Sequence, residues 1–318
     1  MTTIPTSDQD PAIAGLAVGP EPIVPVRRQG LAARLARNWS VLIGGLMVVL
    51  IALTGVCAPL LTSADPAAIN PASRNKLPGF ETTERDDDGN KITRKAVMGT
   101  DSLGRDVYAR VVYGARVSLV VGVAVAALSV ALGLAIGMVA GYFRWIDAVV
   151  MRIMDGLMAI PGILLALGLV AVSGASLVTV ILAITVPEIP RVVRLVRGLV
   201  LTLREQPYVE AAVASGTRFV PILWRHILPN TLAPIIVQAT YVCASAMITE
   251  AILSFIGAGT PPNIPSWGNI MAEARSLFQV AGYLVFFPGL FLAITVLSVN
   301  LLGDGMRDAL DPRLARRM

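Results

Sequence analysis

His226 is the only histidine among 318 residues, and Cys57 and Cys243 are the only cysteines. A zinc-bound water, a histidine-centred triad and a disulfide framework each need more of these residues than that. The phosphate loop G-x-x-x-x-G-K-[ST], the zinc motif H-E-x-x-H and the nucleophile elbow G-x-S-x-G are absent too. The residues therefore point away from an enzyme: no catalytic set and no metal site is expected, and no cofactor is expected to be bound by this chain. If ATP drives this protein, another chain hydrolyses it. Both cysteines fall inside apolar runs and read as small packing residues.

What remains as patterned polar sequence is the segment 205–230, with EAAVASGTRFVPILWRHILPN at 210–230. It is too long for a plain connector. Glu210, Ala211 and Ala212 favour a helix, and Gly216 breaks or bends it. Thr217 to His226 then form a second short helix with Phe219, Ile222 and Leu223 on one face, and Pro229 precedes the next apolar run. An apolar face on a polar loop must be covered, either by another protein or by lipid headgroups.

The elements that must carry this loop are apolar. The chain is 55% hydrophobic with mean hydropathy +0.71, far above a soluble domain. Runs nearly free of charge occupy 41–61, 117–140, 156–172, 177–187, 232–255 and 282–302. A helix of ~20 residues crosses a ~30 Å hydrocarbon core, and barrel strands would alternate, as these runs do not. The expected fold is all-α, a polytopic membrane protein with six transmembrane helices. The net charge of +5 and a pI near 9.6 do not indicate nucleic acid, because the basic residues cluster beside the spans. With both ends cytoplasmic, sixteen Lys/Arg fall inside, while the nine of the first outer loop are balanced by eight acids. The first run reads as an uncleaved span, since it lies too far from the N-terminus for a signal peptide.

The division that follows is a cytoplasmic tail 1–40, disordered over Met1–Gln29; a first span 41–61; an external loop 62–116; a core 117–303 of five helices that includes 205–230; and a cytoplasmic tail 304–318. The outer loop is polar and solvated around the charged run Glu84–Lys95. Its end holds a short amphipathic helix on the membrane surface, capped by Asp101 or Ser102, with Val107, Tyr108, Val111 and Val112 at spacing four. Gly133, Gly137 and Gly141 give one helix face without side chains for a partner helix to approach. The fourth run is short and ends at Pro187, Glu188 and Pro190, or continues as helix through Arg197.

Few polar groups lie within the runs. Glu250 is an ionisable residue in the fifth, either facing the pathway or pairing with Arg110 or Arg116. Gln238 and Asn300 face the pathway or bond a neighbouring helix. Asp304 and Arg307 form a helix-end pair with a docking role, and Trp267 reads as an interfacial anchor.

Glu210, Ala211, Ala212, Gly216, Leu228 and Pro229 together resemble the coupling loop of permease subunits in binding-protein-dependent ABC importers. MGTDSLGRDVYARVVYGARVSL (98–119), RHILPN (225–230), TEAILSFIGAGTPPNIPSWG (249–268) and NLLGDGMRDALDPRL (300–314) narrow the resemblance to dipeptide and oligopeptide permeases of the DppC/OppC type, over about residues 34–317. The charged stretch 80–95 is longer than that pattern. The resemblance implies a type I ABC importer permease fold in a bacterial inner membrane, forming half of a pathway for di- or oligopeptides. It also implies a homologous second permease (DppB/OppB-like), two ATPase subunits (DppD/DppF- or OppD/OppF-like, or one fused chain) carrying ATP and Mg, and an extracytoplasmic peptide-binding protein. Nickel chelates, glutathione or an antimicrobial peptide are the rival cargoes within the same family.

Overall fold

The computed structural model describes residues 35–85 and 91–310. The expected disordered tail Met1–Gln29, the middle of the charged run and the last eight residues lie outside them.

Helix α1 spans Trp39–Val56. The side chain of Asn38 caps it, accepting from the backbone N–H of Ser40 and Val41 at 2.9 and 3.3 Å, and donates in turn to the Gly305 carbonyl at 3.2 Å. That bond ties the start of the first span to the last helix. The approach is close because Gly44 and Gly305 have no Cβ: one added at Gly44 would lie 2.6 Å from the Leu302 nitrogen. A single turn, α2 (Ala58–Leu61), follows.

The segment after it, expected as a solvated external loop, is more ordered than that. Phe80–Arg85 (β1) and Lys91–Ala96 (β2) form an antiparallel hairpin, with Phe80 opposite Ala96 and Thr82 opposite Arg94. The fold is thus helical, as the all-α expectation has it, with one small hairpin added. The base of the hairpin is fastened to the last helix, because the Tyr283 hydroxyl meets the Lys76 and Thr100 carbonyls at 2.9 and 2.8 Å.

Helix α3 is continuous from Val107 to Tyr142, 36 residues or about 54 Å. Residues 107–116 are its first turns and not a separate helix. Asp106, rather than Asp101 or Ser102, is the cap, accepting from the Ala109 N–H at 3.1 Å. Three of the residues expected at the interface are enclosed instead: Val107, Val111 and Val112 are buried, and Val107 and Val111 pack with Trp267, Ile270 and Leu284. Spacing four fits a buried helix face as well as a surface one, and only tertiary contacts separate the two.

Helices α4 (Arg144–Ala159) and α5 (Gly162–Ser173) meet at an 87° bend, where Pro161 cannot continue the helix. Helix α6 runs 28 residues, Leu177–Arg204, through Pro187 and Pro190. It is the partner of the glycine stripe: Gly133, Gly137 and Gly141 lie against Val192, Val196 and Val200 in parallel register. A Cβ on Gly137 would sit 2.7 Å from that of Val196 and 2.9 Å from the Val193 carbonyl oxygen, with little room to give. Gly137→Leu is therefore expected to cost about 3 kcal/mol or more through overpacking, read as a loss of folded protein in detergent-solubilised thermal melts. A Gly156→Leu control, where a Cβ meets nothing within 4 Å, should melt like the parent.

After a short helix α7 (Pro207–Ala214), helix α8 (Phe219–Ile222) continues through a π-turn (Leu223–Ile227) into α9 (Leu228–Ile256). Pro229 has no N–H for the Arg225 carbonyl and its ring crowds that oxygen, so the turn opens there. Helices α10 (Trp267–Glu273) and α11 (Tyr283–Leu310) complete the chain.

Among the described residues four helices can cross a membrane by length and apolarity, and the bent pair α4–α5 makes up to five. Helix α6, the remaining expected span, is long enough but carries Glu188 near its middle and Arg191, Arg194 and Arg197 in its second half. The main core joins α3, α6 and α9 through Val121, Val125, Val192, Val196, Val242 and Met247.

Candidate functional site

Two polar regions stand apart from the apolar body. The first is the segment between α6 and α9. Pro207 starts α7 at a position that needs no N–H, and Val209 anchors it from below while Glu210 and Ala211 face out. Its end is closed by Gly216, at φ +78°: the Gly216 N–H donates to the Val213 carbonyl at 2.9 Å and the Thr217 N–H to that of Ala212 at 3.0 Å. That is a Schellman end, which satisfies two last carbonyls and requires the left-handed residue.

The face expected to be open, Phe219, Ile222 and Leu223, is covered by the chain itself. The Phe219 ring stacks 4.7 and 4.6 Å from Tyr142 and Phe143 at the end of α3, and Ile222 and Leu223 are buried. A short helix this close to a helix end finds its apolar partner locally. The opposite side is the open one: Tyr208, Val213, Val220 and Trp224 are all exposed, Trp224 to 64%. Asn230 links the two sides of the loop, its side-chain amide donating to the His226 carbonyl at 2.6 Å and reaching the Tyr208 hydroxyl at 3.4 Å. Leu228 is half-buried and Pro229 exposed. The six residues of the motif thus lie on one segment, but they frame the open apolar patch rather than form it.

The second region is at the far end of α9. Glu250 is 1% exposed. Its Oε1 accepts from the hydroxyls of Ser254 at 2.8 Å and Ser266 at 2.9 Å, with that of Thr260 at 3.4 Å. Asn269 completes this knot by donating to the carbonyls of Thr260, Pro261 and Ile264. Of the two alternatives for Glu250, pairing with Arg110 or Arg116 does not occur: three hydroxyls meet its Oε1 instead. Arg110 belongs to a separate ion cluster. Its Nη2 lies 3.1 Å from Glu273 Oε1 and its Nε 3.8 Å from Asp101, while Arg105 binds Asp101 at 2.6 Å and also Glu273. Burial pushes the Glu273 carboxyl above its usual range, and the Arg110 and Arg105 guanidiniums pull it back. Trp267 is no interfacial anchor. It is fully buried, and its Nε1–H donates to the Val111 carbonyl at 2.9 Å.

Gln238 on α9 and Asn300 on α11 are both half-buried, and the structure brings neither next to Glu250. Asp304 and Arg307 form no ion pair with one another. Overlooked in the sequence was Glu188, which marks no helix end. It sits in mid-α6, accepting from the Ser245 hydroxyl of α9 at 3.2 Å and from Arg191 at 3.3 Å. An acid between two prolines within an apolar run was the available signal.

Residues 129–316 match the family described as "Binding-protein-dependent transport system inner membrane component". The chain is 50% identical over 281 residues to the probable peptide ABC transporter permease protein y4tQ of Sinorhizobium fredii, covering 88% of this chain and 91% of that one. It is 40% identical to the dipeptide transport system permease protein DppC of Alkalihalophilus pseudofirmus, covering 88% of each. It is also 44% identical, over 68% of this chain and 72% of the other, to the glutathione transport system permease protein GsiD of Pectobacterium atrosepticum. Among solved structures, the MetNI methionine ABC transporter in an inward-facing conformation superimposes with a TM-score of 0.50 at 20% identity, covering 65% of this chain and 95% of that one. At that identity the likeness establishes the fold alone, the type I ABC permease fold.

Proposed function

This chain belongs to the family of binding-protein-dependent transport system inner membrane components, and from that premise we propose that it forms half of the pathway by which an ATP-driven importer carries di- and oligopeptides across the cytoplasmic membrane. The observation that carries the substrate class is the 50% identity, over nearly the whole length, to a protein named as a peptide transporter permease.

With α6 counted as a crossing, the spans number six and both ends lie in the cytoplasm. A homologous permease supplies the other half of the pathway. A binding protein presents cargo at the outer end, above the hairpin and the Asp101–Arg110–Glu273 cluster. Two ATPase subunits, holding ATP and Mg, dock at 205–230. In that arrangement the open patch of Tyr208, Val213, Val220 and Trp224 is the contact surface. Glu210, Ala211, Ala212 and Gly216 fix the angle of α7, and Leu228 and Pro229 pass its displacement into α9. Closure of the ATPases pushes α7–α8 against α3 through Phe219 and against α9 through the π-turn, tilting the spans that line the path. Gln238 and Asn300 line that path, while Glu250 holds the outer end of α9 to the segment before α10.

The cargo is tested by ATP hydrolysis of the purified complex in nanodiscs, with the binding protein loaded in turn with a dipeptide, glutathione or a nickel chelate. Stimulation of about fivefold or more is expected with the dipeptide. Stimulation by glutathione or nickel alone would reassign the substrate and leave the permease assignment standing.

A further inference from the structure

Helix α6 carries charge where a lipid-facing helix cannot. Glu188 lies about 17 Å along α6 from its outer end, and Arg191 one turn further. The register of α3 against α6 fixes their depth. Val192 touches Gly133, so Glu188 and Arg191 lie beside the stretch 117–140 of α3, which has no charged residue. Yet the Arg191 side chain is 46% exposed.

An arginine near a helix end escapes hydrocarbon by snorkelling toward the nearer headgroups. Arg191 does the opposite. Its Nη1 turns back toward mid-span and lies 3.3 and 3.4 Å from the two carboxylate oxygens of Glu188. That direction is unfavourable in lipid and ordinary in water. Glu188 is itself held by Ser245 from the middle of α9, and Gln238 precedes Ser245 by seven residues, two turns along the same face. One turn beyond Arg191, Arg194 binds Asp155 of α4 at 2.6 Å, with both side chains about half exposed. These groups form a single polar strip along α4, α6 and α9, open at Arg191, Arg194 and Asp155, with Glu188, its side chain 7% exposed, directly beneath Arg191.

Resting on the permease reading above, we infer that Glu188 and Arg191 form a charged station on the wall of the water-filled pathway, where the Arg191 guanidinium takes the carboxylate and Glu188 the ammonium group of a passing peptide. The station suits transit. A peptide's termini replace an ion pair already present, so the exchange of charges is nearly balanced and binding stays weak enough for release.

The test uses the complete transporter with its binding protein in proteoliposomes, with Cys57→Ser and Cys243→Ala removing the native thiols. Arg191→Cys and Leu182→Cys are compared for reaction with a hydrophilic charged methanethiosulfonate; nine residues apart, the two lie on opposite sides of α6. The cysteine at 191 is expected to react at least ~10-fold faster, and peptide-loaded binding protein with ATP should slow it. Equal slow rates would overturn the inference, and fast labelling that peptide leaves unchanged would overturn the substrate contact. In otherwise unmodified protein, Arg191→Gln should cut peptide uptake about tenfold and Arg191→Lys restore most of it; full uptake in the glutamine variant would also overturn it. If the parent complex takes up no peptide at all, the cargo assignment fails, while the labelling rates still decide whether the strip is water-lined.

Discussion

Arg110→Ala is expected to destabilise the outer end of the molecule by about 3 kcal/mol, near the lower end of the range for breaking a buried ion pair. Arg110 is 1% exposed, at the N-terminal turn of a helix whose neighbours Val107 and Val111 pack under Trp267. Its guanidinium meets Glu273 and lies near Asp101. Truncation leaves a cavity and a carboxylate with one partner instead of two. Arg105 remains on Glu273 and Asp101, which keeps the loss below the upper end of that range, about 5 kcal/mol. Arg116→Ala serves as control: that exposed side chain makes one long hydrogen bond, 3.4 Å to the Val56 carbonyl, and lies 6.0 Å from the Tyr113 ring centroid, and its loss should be worth about 1 kcal/mol or less. Thermal unfolding in detergent, followed by tryptophan fluorescence, reads both. Similar melts for the two variants would mean the Asp101–Arg105–Arg110–Glu273 cluster does not fasten the outer segment to α10.

Gly216→Val is expected to lower ATP-driven uptake about tenfold or more while hydrolysis by the partner ATPases continues within about twofold of the parent, a difference of at least ~1 kcal/mol in coupling. Crowding is not the reason, since a Cβ on Gly216 meets nothing within 4 Å. The reason is its φ of +78°. A β-branched residue resists that conformation by roughly 1–2 kcal/mol, enough to reopen the Schellman end and swing α7 relative to α8. Gly216→Asn, which tolerates the left-handed region, should retain most of the coupling. Equal uptake by the valine and asparagine variants would remove Gly216 from the coupling path. Gly198→Val, on α6 with open space around it and helical φ, controls for bulk alone.

The two halves of the molecule differ in how much their sequence discloses. Apolar runs announce spans because the bilayer demands them, and the glycine stripe at 133, 137 and 141 announces a close partner helix. That the partner is α6, in parallel register at Val192, Val196 and Val200, is a property of topology that no local pattern carries. The outer segment was the hardest to read. Spacing four at Val107 and Val111 looked like a surface helix, and Trp267 like an interfacial anchor, because burial under another part of the chain leaves the same one-dimensional pattern as burial in lipid headgroups. Glu250 shows a similar limit: an acid in a span calls for a partner, and charge alone points to arginines, whereas Ser254, Thr260 and Ser266 meet its Oε1 by hydroxyls brought in from sixteen residues away or less.

The loop 205–230 was legible in outline and misread in orientation. Gly216 and Pro229 fall where the chain turns and where the helix widens, as glycine and proline chemistry requires. The apolar face, however, was assigned to Phe219, Ile222 and Leu223, which Tyr142 and Phe143 and the core already cover. The open patch of Val213, Val220 and Trp224 comes from residues on α7, α8 and the π-turn that follows α8, so it has no single period. Glu188 was passed over because prolines on both sides resemble a helix end, while α6 continues through them for four more turns.

The most direct test of the account is accumulation by proteoliposomes that hold both permeases and both ATPases, given ATP inside and a labelled dipeptide with its binding protein outside. The account predicts uptake against the gradient that stops when ATP is omitted or when this chain is left out of the assembly. Accumulation that persists without ATP, or export of dipeptide loaded inside, would contradict it.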